Sequence, residues 1–424
     1  MKYLTFIFFF LFFLFLTRYL FAQNNKTTIQ NDSLCNNKLN VYFNCPYCDM
    51  NFVKNEITFI NYVRDQKDAQ LYVLVSQMNT GSGGGEYTIY FIGQKEFAGK
   101  SDTLKFNTYP DDTEEVIRKG YTNILKMGFM RFVSQTPLAQ DISITYTNQD
   151  TSNSITAIDP WNNWVVDLYS YFYIRGEESM KYFYNYSSVD AYRVTEKERF
   201  NISAYSDFTQ SKFKLNEPNT TIISRSNSKK ISALYVGSIN DHWSFGGETG
   251  VFSNSYNNIY YAANIQPTIE YNFFKYSEST RRQLRFKYLI SFDYNSYIDT
   301  TIYNEKKQML YSHYLGIAYK VIEKWGSVSA TLSGSNYLHD MSKYRCSFYT
   351  NLSIRLFKGL SVTVNGQINS IHDQLYLPKQ GATPEEILTQ QKQLATQYSF
   401  YTNVGLTYTF GSMYNNVVNP RFGY

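Results

Sequence analysis

Histidine and cysteine are scarce in this chain, with four of each among 424 residues. The cysteines near the N-terminus, Cys35, Cys45 and Cys48, have no histidine beside them. A zinc site needs more donors than that, so no metal is expected. The histidines, His242, His313, His339 and His372, are dispersed, and none sits in a Ser/Asp setting that would make a hydrolytic triad. Lys and Arg never form a run, and the net charge of +5 is small for the length. Nucleic-acid binding therefore has no support. Gly81-Ser-Gly-Gly-Gly85 lacks the Lys-Ser/Thr of a phosphate loop and reads as a flexible hairpin. From Trp164 to about residue 384 no helical periodicity stands out.

What is present is aromatic. The chain holds 41 Tyr and 32 Phe, yet its mean hydropathy is −0.39. A chain this aromatic stays polar on average by alternating its apolar residues with polar ones. The N-terminus is also distinctive. Lys2 precedes the apolar run Phe6–Leu16, Arg18 breaks it, and Ala22 offers a cleavage point. Residues 1–22 read as a signal peptide followed by a flexible segment, 23–36. Export allows disulfides.

Beyond residue 164 the alternation has period two, in segments of about ten residues separated by polar turns. In Leu284–Tyr294 the even positions give Leu284, Phe286, Tyr288, Ile290, Phe292 and Tyr294, and the odd ones Arg285, Lys287, Leu289, Ser291 and Asp293. Residues 261–271, 347–356, 360–369 and 398–410 repeat the pattern. Polar faces carry mid-strand charges at Glu248, Glu270, Arg285, Lys287, Asp293 and Arg355, as a wet lumen allows. Tight links (195–197, 240–241, 277–280, 323–326, 357–359) take turns with longer ones (211–230, 252–259, 296–310, 338–344, 376–397), except that the first outer link, Arg175–Ser179, is short. The expected product is an antiparallel transmembrane β-barrel of about twelve strands over 164–411, preceded by a linker at 151–163 and followed by a tail at 412–424. All four Trp (Trp161, Trp164, Trp243, Trp325) fall on one rim of such a barrel, where indoles favour the membrane interface. An even strand count puts both barrel ends, and that rim, in the periplasm. Residues 384–396 follow Thr383-Pro-Glu-Glu386 and read as a helix in the last outer loop.

Residues 37–150 have another rhythm, expected as a small periplasmic α+β domain of order β-α-β-β-(β)-α-β. Strands are expected at 39–43, 71–77, 87–92 and 142–146, with a short one at 104–106. Helices are expected at 52–63 and after the capping box Asp112–Glu115. Cys45-Pro-Tyr-Cys48 lies between the first strand and the first helix, which is the layout of a glutaredoxin-type redox centre. A Gly-rich hairpin replaces the second helix such a fold requires. The two cysteines then read as a disulfide, with each other or with Cys35, and redox catalysis is the lesser alternative. No catalytic residue and no cofactor is expected.

The stretches YSESTRRQL (276–284), LPKQGATPEEILTQQKQLATQYSFY (377–401) and YTFGSMYNNVVNPRFGY (408–424), with CPYCD and EITFINYVRDQKDAQLYVLV, resemble an uncharacterised family of outer-membrane β-barrel proteins from Bacteroidota. The resemblance spans nearly the whole mature chain. It implies location and architecture but no activity. The expectation is an outer-membrane pore, transport or envelope component, whose domain at 37–150 docks a periplasmic partner. A closed-barrel anchor and a barrel-tethered oxidoreductase are the alternatives.

Overall fold

In the computed structural model of the chain, residues 38–81, 83–145, 160–215, 220–381, 392–414, 416 and 421 are described. The expected leader, Cys35 and most of the expected linker and tail fall outside them. So does the body of the expected loop helix, while its last residues, 392–396, are not helical. No described helix is long and apolar enough to cross a membrane.

The N-terminal domain is a five-stranded sheet of order β2-β1-β3-β4-β5. Its strands are β1 (Leu39–Asn44), β2 (Ile60–Tyr62), β3 (Leu71–Asn79), β4 (Gly85–Gly93) and β5 (Ser101–Asn107). Two helices, α1 (Met50–Glu56) and α2 (Glu114–Val133), complete it. Asp49 starts α1 by accepting the Asn51 and Phe52 amide hydrogens. The helix expected over 52–63 stops at Glu56, because Ile57-Thr-Phe-Ile60 is rich in residues that prefer an extended backbone. Ile60–Tyr62 then pairs in parallel with β1 as the edge strand. The strand expected at 142–146 does not form over its described residues, 142–145, and Ile144 is exposed. The edge beside β1 is already taken by β2. The observed order is therefore β-α-β-β-β-β-α.

Both helices cover one face of the sheet. Leu39, Val41, Val73, Ile89 and Phe91 meet Val53, Leu125, Phe129 and Phe132 there. Gly128 lets α2 lie close on β4: a Cβ at that position would sit 2.0 Å from the Phe91 ring. The other face carries no helix, yet Tyr72, Leu74 and Thr88 are 0–2% exposed. Something else covers it.

The second sheet has twelve antiparallel strands, each paired with its neighbour in sequence. They are β6 (Trp164–Gly176), β7 (Met180–Val194), β8 (Glu198–Leu215), β9 (Thr220–Ser238), β10 (Trp243–Asn254), β11 (Ile259–Asn272), β12 (Arg282–Tyr297), β13 (Lys307–Glu323), β14 (Gly326–Tyr337), β15 (Asp340–Phe357), β16 (Leu360–Ile371) and β17 (Tyr398–Tyr408). This is the architecture of a transmembrane β-barrel. Its outward positions are apolar and bare, as at Leu168 (76%), Ile265 (61%) and Leu406 (72%). The alternation of links is less regular than expected. The spans 211–230 and 338–344 are mostly strand, because β8 and β9 run on into the first and β15 begins within the second. Among the described residues no ladder joins β6 to β17.

Candidate functional site: the barrel interior and its two ends

The register brings four of the expected lumen charges onto one inner wall. Glu248 faces Gln266, Glu270 faces both Ser244 and Lys287, and Arg285 faces Asn272. Arg285 approaches Glu270 at 3.9 Å, and Lys230 holds Glu248 at 2.7 Å. Glu248, Glu270, Arg285 and Lys287, with Arg199, line a cavity of about 250 Å³ over β8–β12. Lys230 was missed because β9 alternates less cleanly, and Arg199 because β8 was not read for its faces. The signal was there: Arg199, Asn201 and Ser203 oppose Phe200, Ile202 and Ala204. Asp293 sits on the same face of β12 but farther from the N-terminal domain, opposite Asn264 and Leu310.

Arg355 stands apart from the other five. Its guanidinium lies 4.6 Å from the Tyr42 ring centroid, donates to the Tyr42 hydroxyl, and donates to Gln66 Oε1 at 3.3 Å. It reaches the N-terminal domain and contacts the helix-free face of its sheet. Neighbouring turns do the same. The Gly359 amide donates to Asp65 at 2.9 Å, and Lys358 pairs with Asp68 at 2.8 Å. Between β11 and β12, Thr280 bonds the Tyr90 hydroxyl at 2.8 Å. At the end of β7, Val194 and Tyr192 crowd the hairpin glycines Gly81 and Gly83 so closely that a Cβ on either would collide. The chain end adds an antiparallel bridge from Tyr414 to Val63, and Asn416 accepts the Tyr62 amide hydrogen at 2.6 Å. Contacts at β7, the β11–β12 link, the β15–β16 turn and the tail are spaced around the rim. The domain thus sits across the mouth, which is what buries Tyr72 and Leu74. Burial pushes the Tyr72 hydroxyl above its ordinary pKa, opposed by a hydrogen bond with Asn44.

All four Trp lie at this end. Trp164 and Trp243 open β6 and β10, Trp325 is in the β13–β14 turn, and Trp161 is exposed just ahead of β6. Trp243 packs on Tyr271 at 4.8 Å.

The far end is bridged by its own links. The link after β16 crosses to those after β10 and β12. The Asn258 side chain donates to the Asp299 and Tyr376 carbonyls, both at 2.9 Å. The Ile302 amide donates to the Leu377 carbonyl at 2.9 Å. Arg345 grips Asp373 through two bonds of 2.9 Å. Ile259, Ala262 and Tyr297 form a small buried core beneath, with Phe252 and Tyr376 against it.

Cys45 and Cys48 are joined to each other, at the head of α1 and half-buried against the domain core. Among the described residues no group of three His, Cys, Asp or Glu could hold a metal. The disulfide and the charged lumen wall are not brought together into one site.

Fold and interior together define a twelve-stranded membrane barrel with an α+β domain across one mouth. No protein-family model and no curated protein matches the sequence. Among solved structures, one described as "NanC porin structure in rhombohedral crystal form" aligns at 10% identity over 58% of this chain and all of its own, with a TM-score of 0.29. A superposition that loose transfers nothing, and the barrel assignment rests on the strand register.

Proposed function

We propose that the protein is an outer-membrane pore or transport component, and that its N-terminal domain is a periplasmic plug that can leave the mouth. The carrying observation is the seat of that domain: a wet, charged lumen wall ends at a rim held by hydrogen bonds and the Lys358–Asp68 ion pair. Interfaces this polar between domains favour relative motion. The interior is built for water. On its inner face, Asn201 Oδ1, Asn264 Oδ1, Asn272 Nδ2 and Arg285 Nε are buried without a protein partner, and such groups are normally satisfied by solvent. The helical face of the domain stays turned away from the barrel, open to a periplasmic partner.

Single-channel recording in a planar bilayer tests this. The full chain is expected to conduct rarely. Arg355→Ala combined with Lys358→Glu loosens the plug and is expected to raise open probability severalfold. Adding Asp68→Lys to the Lys358→Glu variant restores an ion pair and should reverse part of the gain. A barrel that never conducts, with or without these changes, is a closed anchor and the pore reading fails.

A further inference from the structure

The inner face of β6, β7 and β8 differs from the charged wall beside it. Tyr171 faces Tyr186, which faces Asp207, and Tyr205 faces Lys230, the partner of Glu248. These positions therefore share the lumen side. Rings pair across the strands: Tyr169 with Tyr186 at 6.1 Å, Tyr171 with Tyr184 at 6.1 Å, and Tyr173 with Tyr182 at 5.8 Å. Tyr205 stacks on Tyr186 at 6.0 Å. Seven phenol rings thus form one continuous patch, whose outward counterparts are Leu168, Phe172 and Ile174. Carboxylates stand among them at Asp167, Asp190 and Asp207.

We propose that this wall binds a linear, uncharged oligosaccharide on its way through the lumen, a proposal that rests on the pore reading. A pyranose ring has an apolar C–H face and a rim of hydroxyls. Its face stacks on an aromatic ring, and its rim is satisfied by carboxylate and phenol oxygens. A purely apolar ligand would strip water from those carboxylates at a cost. An anion would be repelled by the three aspartates. The rings are not merely filler, since Tyr169, Tyr171 and Tyr173 keep 54%, 44% and 43% of their surface. The patch also runs along the strands rather than converging into a cage. With side chains on one face repeating every ~6.8 Å along a strand, it suits a ligand with repeating units.

The test is isothermal titration of the full chain in detergent micelles with linear hexasaccharides of glucose, N-acetylglucosamine, mannose and xylose. At least one is expected to bind. The pair Tyr171→Leu and Tyr184→Leu is expected to weaken that binding by about tenfold, whereas Phe at both positions keeps the stacking and most of the affinity. Heat-modifiable gel mobility shows whether each variant has folded. The site is overturned if the folded wild type binds none of the sugars, or if the Leu pair binds as well as wild type. Binding without conductance keeps the site and defeats transport. Conductance without binding defeats the site alone.

Discussion

Arg355 shows how much one residue's meaning depends on what its side chain reaches. Its parity along β15 marks it as inward, like Ser353 and Asn351, which is all that alternation can say. Its partners, Tyr42 and Gln66, lie some three hundred positions earlier in the chain, and no local pattern links them. Tyr72 behaves similarly. Buried behind Tyr42, it holds its proton more tightly than a free phenol. The docked state is favoured while tyrosine is neutral, and loses stability as pH rises beyond the ordinary value near 10. Channel activity is expected to rise reversibly above that pH, and Tyr72→Phe should blunt the rise. At the head of α1, replacing Cys45 and Cys48 by Ser removes a short covalent loop. The expected cost is about 2 kcal/mol of domain stability, read as a lower denaturant midpoint for the N-terminal domain in the full chain. If the cysteines did redox work instead, the same variants would abolish insulin reduction by the full chain.

At the scale of elements, legibility followed periodicity. The strands around 261–272, 284–294 and 347–369 were plain because one face must meet lipid and the other water, and side chains alternate with period two. The ends of β8 and β9 and the start of β15 were not legible. Where strands rise beyond the apolar band, Ser, Lys, Asn and Thr occur on both faces, and polarity alone resembles a loop. In the N-terminal domain Ile57, Ile60 and Val63 fall at helical spacing and suggest a helix over 52–63, while the β-branched run containing two of them belongs to a turn and a strand. Helix α2 was found from its cap and apolar stripe, but its closeness to the sheet was not. Gly128→Ala improves helix propensity by about 1 kcal/mol, yet puts a methyl into the Phe91 ring. Overpacking costs ~1–3 kcal/mol, so a net loss is expected in chemical unfolding of the domain.

At the scale of the whole molecule, β6 and β17 confront a physical demand. Within the hydrocarbon, unpaired strand edges leave amide and carbonyl groups without partners, so membrane barrels close. The two edges run antiparallel and begin and end at the same rim, which permits pairing. Amides of β6 and β17 are expected to gain hydrogen-exchange protection on transfer from detergent to lipid nanodiscs, approaching that of β12. If they stay as fast as in detergent, the seam is open in the bilayer. The sequence by itself determined the two-part layout, the twelve strands, the direction of their faces and the Trp rim. Each follows from the immediate surroundings of each residue: lipid, water or their boundary. Only the tertiary structure decided that the domain sits across the mouth, that Arg355 belongs to that seat, that the far links interlock, and that tyrosines from three strands share one wall. Those are contacts between segments remote in the chain. Their energy lies in complementary pairs such as Lys358–Asp68 and Asn258–Tyr376, for which a single strand carries no periodic trace.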